Sequence, residues 1–242
     1  MSILENIVEN KKQELQLSKK RDFISAITKS KDGMAVIAEI KKKSPSAGEL
    51  VGDQNLINKA IEYEIAGANA LSVVTDEKFF GGSFELFHQI RKATSLPVLM
   101  KDFIIHPLQL VQAEAIAADA ILIIAALHKD FHPELISKIA NTKITSVVEV
   151  ASKDELSLPF VQQSHVIGVN ARNLHTFEVD IERACSIIRK IPKDKIIIGF
   201  SGIRSEEEVK KYKDAGVRAV LVGEMLMKSD NVEQGIKLLK KI

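Results

Sequence analysis

Eight short apolar runs recur along the chain: Ala35–Ile40, Ala70–Val74, Pro97–Met100, Ala120–Ala126, Ile144–Val150, Val166–Val169, Ile196–Phe200 and Ala219–Val222. Each is too short for a buried helix and most are rich in Val and Ile, so each predicts a strand. Between them lie mixed polar and apolar segments long enough for helices. Ser152 with Glu155, and Ser205 with Glu208, have the capping-box spacing in which hydroxyl and carboxylate each satisfy an otherwise free amide. Pro107 and Pro133 suit first helical positions, where the missing N–H is no loss. Gly67 and Gly216 each follow an Ala and precede a strand, as a left-handed helix terminator does.

The first thirty or so residues predict helix. Ser2 and Glu5 have capping-box spacing, and Leu4, Ile7, Val8, Leu15 and Phe23 follow at roughly helical intervals. The segment is otherwise polar, so its apolar stripe is expected to lie on another element. From residue 35 to 242, 208 residues are shared among eight strand–helix units, 26 residues each. A mean strand, a mean helix and two short loops come to about 25 residues. Continuous apolar strands alternating with helices imply a parallel sheet covered on both faces. Eight such units predict an α/β fold of one domain, a closed (β/α)8 barrel over 35–242 with an extra N-terminal helical extension over 1–34. A doubly wound sheet is the alternative, but no G-x-G-x-x-G follows a strand and no G-x-x-x-x-G-K-[ST] occurs.

Composition narrows the partners. Lys plus Arg number 34 against 32 Asp plus Glu, and the small excess is spread along the chain. That pattern gives no basic stripe for nucleic acid. A single Cys excludes a disulfide framework and a thiolate metal cluster and fits a reducing compartment. No apolar run approaches 18 residues, and no apolar signal core opens the chain, so a cytoplasmic protein acting on a small molecule is expected.

In a barrel, chemistry belongs where strands end. Glu39 and Lys41 share one side of the first strand at its end. Lys101 closes the third strand, Glu149 the fifth, and Asn170 and Arg172 the sixth. Ser201-Gly202 follows the seventh and Gly223-Glu224 the eighth. Gly-bearing loops after strands seven and eight, each leading into a helix, are the usual phosphate site of this fold. Glu224 has the wrong sign for a phosphate contact, so its side chain is expected to point away. The mouth thus gathers two carboxylates, two ammonium groups and a guanidinium around an anion site. General acid–base chemistry fits this set, with a Lys nucleophile forming a Schiff base as the rival.

These residues stand in stretches that resemble indole-3-glycerol-phosphate synthase, a family of tryptophan biosynthesis. A-E-I-K-K-K-S-P-S-A-G at 38–48 resembles its first-strand signature. T-D-E-K-F-F-G-G-S at 75–83 and L-M-K-D-F-I at 99–104 resemble its second loop and third strand. V-V-E-V at 147–150, V-N-A-R-N-L at 169–174, S-G-I at 201–203 and L-V-G-E at 221–224 complete the set in order. The resemblance implies a ring closure without a cofactor or metal. The substrate would be 1-(2-carboxyphenylamino)-1-deoxyribulose 5-phosphate, and the products indole-3-glycerol phosphate, CO₂ and water. It assigns Lys101 as general acid, Glu149 as general base, Glu39 as the group orienting Lys101, and Lys41 as a substrate contact and second acid. Asn170 would hold sugar hydroxyls, Arg172 the anthranilate carboxylate, and Ser201, Gly202 and Gly223 the phosphate. Ser44 would contact substrate, and Phe103 and Leu174 would wall the aromatic ring. It further implies a monomer, open to contact with other enzymes of the pathway.

One departure stands out. The family's seventh strand normally ends Glu-Ser-Gly, whereas here Phe200-Ser201-Gly202 occurs. A phenyl ring accepts no proton, so activity is expected to be retained but weakened. A non-catalytic homologue binding a phosphorylated ligand is therefore one alternative. Another phosphate-binding barrel, such as phosphoribosylanthranilate isomerase, is a second. His128 and His132 have the i, i+4 spacing of a helical metal pair, but no Glu follows the first and no third ligand is apparent. Cys185, beside Ile181, Ile187 and Ile188 in a helical pattern, reads as a core residue.

Overall fold

The computed structural model describes residues 3–8, 19–30, 33–45, 48–50, 55–128, 133–174 and 176–241. Strands β1 (Ala35–Ile40), β2 (Ala70–Val74), β3 (Val98–Lys101), β4 (Ala120–Ile124), β5 (Thr145–Val150), β6 (Val166–Asn170), β7 (Ile196–Phe200) and β8 (Ala219–Val222) run parallel. Each bonds to its neighbours in sequence, and β8 returns to β1 to close the barrel. Helices α1 (Leu56–Ile65), α2 (Phe84–Ala93), α3 (Pro107–Ala115), α4 (Pro133–Asn141), α5 (Pro159–Gln163), α6 (Ile181–Ile188), α7 (Glu206–Ala215) and α8 (Val232–Lys240) follow the strands in turn. The (β/α)8 barrel expected from the repeat is the architecture found.

Strand alternation explains why the runs read as uninterrupted apolar segments. Ile37, Leu99, Leu122, Val147, Ile198 and Leu221 fill the interior, while Val36, Leu71, Ile121, Val148, Ile167 and Val220 face the helices. Both faces are largely buried, so both parities are mostly apolar. Helix ends follow the local signals. Gly67 and Gly216 adopt φ of +92° and +108° just past α1 and α7. Pro107 and Pro133 open α3 and α4, and the Glu208 carboxylate accepts from the Ser205 amide at 2.6 Å.

Four expectations need correction. Ala125 and Ala126 leave the fourth strand for a 3₁₀ turn spanning Ala125–His128. Glu155 accepts from the Ala151 amide at 2.7 Å, but the Ser152 hydroxyl finds no partner among the described residues. A 3₁₀ turn (Asp154–Ser157) rather than an α-helix therefore follows. The N-terminal pattern is not one helix: residues 3–8 are helical, 19–22 are not, and Asp22 starts a new helix, Phe23–Thr28, by accepting from the Ser25 amide at 2.8 Å. Only this second helix buries its stripe, since Phe23 and Ile27 pack into the barrel interior while Leu4, Ile7 and Val8 are exposed. Ser2 and Leu15 lie outside the described residues.

The Phe23–Thr28 helix sits where the strands begin. The Arg21 amide donates to Asp119 at 2.6 Å and its guanidinium to the Leu96 and Arg91 carbonyls. Arg91, itself buried, pairs with Asp119 at 3.0 Å and donates to the Lys19 carbonyl. This polar clasp holds the N-terminal segment at the end of the barrel opposite the strand termini.

Candidate active site

At the end where the strands finish, a cavity of about 380 Å³ opens, lined by Glu39, Lys41, Ser44, Lys101, Phe103, Glu149, Asn170, Arg172, Leu174, Ser201, Gly202 and Gly223. The barrel thus brings together every residue singled out from the sequence. The cause is register. Inward-facing positions are apolar in the barrel's lower part, and the same parity continues upward as Glu39, Lys101, Glu149 and Asn170.

Two hydrogen-bonded groups form within the mouth. Lys41 donates to Glu39 at 2.6 Å. Asn170 donates to Oε1 of Glu149 at 2.9 Å, while its own side-chain oxygen accepts from the Arg172 amide at 2.9 Å. Oε2 of Glu149 is buried and has no partner among the described residues. Burial alone would raise the Glu39 carboxyl, but the charges of Lys41, Lys101 and Arg172 together hold it below its ordinary value. The direct partner of Glu39 is thus Lys41, and Lys101 reaches it through charge.

The loops that follow β7 and β8 have unusual backbone geometry where they leave the strands. Ser201 and Gly202 are consecutive left-handed residues, with φ of +64° and +79°. A Cβ on Gly223 would fall 2.6 Å from Oε1 of Glu39, so this glycine also makes room for that carboxylate. Glu224, expected to point away, opens a short helix (Glu224–Met227), lines the cavity together with Lys228, and pairs with that lysine at 2.7 Å. This salt bridge neutralises the misplaced negative charge.

Phe200 is fully buried and forms part of the cavity floor. Its ring lies on Gly168 of β6, where an added Cβ would stand 2.6 Å from Cζ. Bulk on β7 is therefore matched by the missing side chain on β6. Further residues that the sequence pattern does not mark also line the cavity. Phe80 and Asp102 lie inside motifs that were read, and Phe80 stacks near Phe103 at 6.0 Å between ring centroids. Asp102 is held by Thr75 at 2.5 Å and by the Phe103 amide at 2.8 Å. Phe177 reaches the rim from a left-handed backbone (φ +60°), and its carbonyl accepts from Arg172 at 3.0 Å. No local sequence signal marks that conformation.

Among the described residues, no group of three or more His, Cys, Asp or Glu is placed to hold a metal ion. His128 is buried with Nε2 3.0 Å from the Ile104 carbonyl, and His132 lies outside the described residues. Cys185 is buried on α6. No helix among the described residues is long and apolar enough to cross a membrane.

The barrel is similar to thiamine phosphate pyrophosphorylase from Pyrococcus furiosus, with a TM-score of 0.62 over 87% of this chain and 95% of that one. At 14% identity the likeness establishes the fold alone. A family model described as indole-3-glycerol phosphate synthase matches residues 3–239. The chain belongs to the indole-3-glycerol phosphate synthase family. The indole-3-glycerol phosphate synthase of Alkaliphilus metalliredigens (strain QYMF) is 38% identical over 230 residues, covering 95% of this chain and 88% of the relative. That of Legionella pneumophila (strain Paris) is 39% identical, covering 98% of each. The synthase of Prochlorococcus marinus (strain MIT 9301) is 40% identical over 226 residues, covering 90% of this chain and 77% of the relative. Membership carries the chain into tryptophan biosynthesis, as a carboxy-lyase family with a barrel fold.

Proposed function

We propose that this chain is an indole-3-glycerol-phosphate synthase in which Lys101 is the general acid and Glu149 the general base. It closes the ring of 1-(2-carboxyphenylamino)-1-deoxyribulose 5-phosphate with loss of CO₂ and water. The observation that carries the assignment is a buried, unpartnered carboxylate oxygen of Glu149 sharing one cavity with the Lys101 ammonium. Lys101 acts on Glu39 through charge, and Oε2 of Glu149 is buried with no partner among the described residues. A proton from the Lys101 ammonium to the ribulose carbonyl oxygen lets the carboxylate-bearing ring carbon attack. Loss of CO₂ then restores aromaticity. Departure of the remaining hydroxyl as water needs a second proton, from Lys41 or a recharged Lys101. Glu149 takes a proton from the ring methylene beside the nitrogen, whose C–H electrons form the indole double bond as the hydroxyl leaves, and the nitrogen keeps its hydrogen in the product. Asn170 fixes Oε1 of Glu149, which leaves Oε2 to do this work.

The rest of the mouth positions the substrate. Ser201, Gly202 and Gly223 take the phosphate, Asn170 the sugar hydroxyls, and Arg172 the carboxylate. Phe103 and Leu174 wall the ring, and Ser44 contacts the substrate from the first loop. Glu39 anchors Lys41 and draws Lys101 by charge. We place the enzyme in the cytoplasm as a monomer acting on this phosphorylated small molecule without a cofactor. The relatives' shared name favours the lyase over the isomerase reading. The test is product formation. Purified chain given the carboxyphenylamino ribulose phosphate should produce the indole fluorescence of the product, and given phosphoribosylanthranilate it should produce no isomerised product. A folded chain that makes no indole product contradicts the proposal.

A further inference from the structure

We infer that Tyr212, on the outer side of the barrel, is a positioning residue for the anion-binding turn after β7. The inference rests on the proposal that Ser201 and Gly202 hold a phosphate. Tyr212 lies on α7, is fully buried, and has no face on the cavity. Its hydroxyl is 3.0 Å from the carbonyl of Phe200 and 3.1 Å from that of Ser201. One hydroxyl proton is thus shared between two successive carbonyls. In a trans peptide the N–H points opposite to the C=O. Holding the Ser201 carbonyl toward α7 therefore turns the Gly202 amide to the opposite side, where the cavity lies.

Two further observations show that this contact is built. Ser201 sits at φ +64°, a conformation an L residue with a side chain seldom adopts unless its surroundings impose it. Tyr212 is the side chain that reaches its carbonyl. In addition, Gly199, which faces outward between the inward-facing Ile198 and Phe200, has no side chain where one would meet the Tyr212 ring at 3.0 Å. The strand thus gives up a Cβ so that the ring can lie flat against it and bring its hydroxyl to the turn. Burial pushes the Tyr212 hydroxyl well above its ordinary range, so it stays a donor at every pH at which the protein is handled.

Tyr212→Phe keeps the ring and removes only the shared proton. A single hydrogen bond of this kind corresponds to about a three- to tenfold change in an equilibrium constant. Inorganic phosphate titrated into the full chain, followed by the amide resonances of Ser201, Gly202 and Gly223, should bind about three- to tenfold more weakly to Tyr212→Phe. KM should rise by the same factor, with kcat within about twofold of the parent. Gly199→Ala, which crowds the ring from the strand side, should weaken phosphate in the same direction. Val209→Ala, a buried truncation on the same helix, should lower the melting temperature and leave phosphate affinity unchanged. A folded Tyr212→Phe protein that binds phosphate as tightly as the parent overturns the inference while leaving the phosphate site standing. Parent amides that do not respond to phosphate overturn the site assignment itself, and the inference with it.

Discussion

Replacing Phe200 by Glu sets packing against chemistry at one position. The ring is 1% exposed and rests on a glycine, so no neighbouring side chain can close over the space it leaves. Deleting a buried Phe side chain costs about 3–5 kcal/mol, and the Glu side chain refills part of that volume. The new carboxylate enters the cavity floor beside Asn170, its in-register neighbour on β6, which already serves Glu149. A net loss of about 3 kcal/mol follows, or a fall of roughly 6–12 °C in melting temperature for a chain of this size. Activity should move the other way. One additional acid–base group contributes at most roughly 10²–10⁴-fold, and with Glu39 and Glu149 in place a gain of about tenfold in kcat/KM is expected. Thermal unfolding by circular dichroism and steady-state kinetics by indole fluorescence read the two effects separately. A folded variant whose kcat/KM is unchanged or lower refutes the claim that the phenyl ring holds activity down.

Three further perturbations probe two contacts of the cavity and one at the opposite end of the barrel. The Glu39 carboxyl has a folded-state pKa below its ordinary 4.5, so it lends stability that is present above that value and lost as pH falls through the lower one. Lys41→Met removes its partner at 2.6 Å, and the acid-unfolding midpoint should move to higher pH; an unmoved midpoint counts against the pairing. Gly168→Ala forces the Phe200 ring from a 2.6 Å overlap up into the cavity, at about 1–3 kcal/mol, and KM should rise more than the melting temperature falls would suggest; an unchanged KM excludes the ring from the substrate's space. Arg91→Leu breaks a buried ion pair at the far end of the barrel, costing about 3–5 kcal/mol with kcat at 25 °C unaffected. A large fall in kcat there would mean that the clasp reaches the active site.

The fold is legible because the strand positions on both faces are mostly buried and apolar. The runs at 35–40, 70–74, 196–200 and 219–222 coincide with β1, β2, β7 and β8. Where the pattern misled, a polar or local contact decided the end. Lys101 and Asn170 extend their strands by one residue, because the ladder continues to the last inward-facing side chain even when that side chain is charged or polar. Ala125 and Ala126 are apolar but turn, since apolarity does not distinguish a strand from a buried 3₁₀ turn. The N-terminal stripe concealed a break because Asp22 is one polar residue among many, and only the Ser25 amide it accepts from marks a new helix start.

The candidate site was legible for a related reason. Polar residues placed at strand ends stand out against apolar runs, and so Glu39, Lys101, Glu149 and Asn170 could be read by position. Contributions made by the backbone or by close approach could not. The left-handed Phe177 that offers its carbonyl to Arg172, the Tyr212 hydroxyl behind the Ser201 turn, and the glycine under Phe200 each depend on a backbone conformation or a contact that no sequence pattern marks. In the sequence Phe200 stands only as a lost carboxylate. Against Gly168 it is also half of a packing pair, which is why exchanging it has a structural cost.

The assignment of acid and base is tested most directly by the turnover of Lys101→Ala and Glu149→Gln, each measured beside the parent with substrate in excess. Neither exchange opens the barrel core, because both side chains line the cavity at strand ends. Both proteins should fold, hold inorganic phosphate as the parent does, and lose about 10²-fold or more in kcat. A folded Lys101→Ala or Glu149→Gln enzyme that keeps kcat within about threefold of the parent would contradict the account, because a general acid or base contributes far more than that.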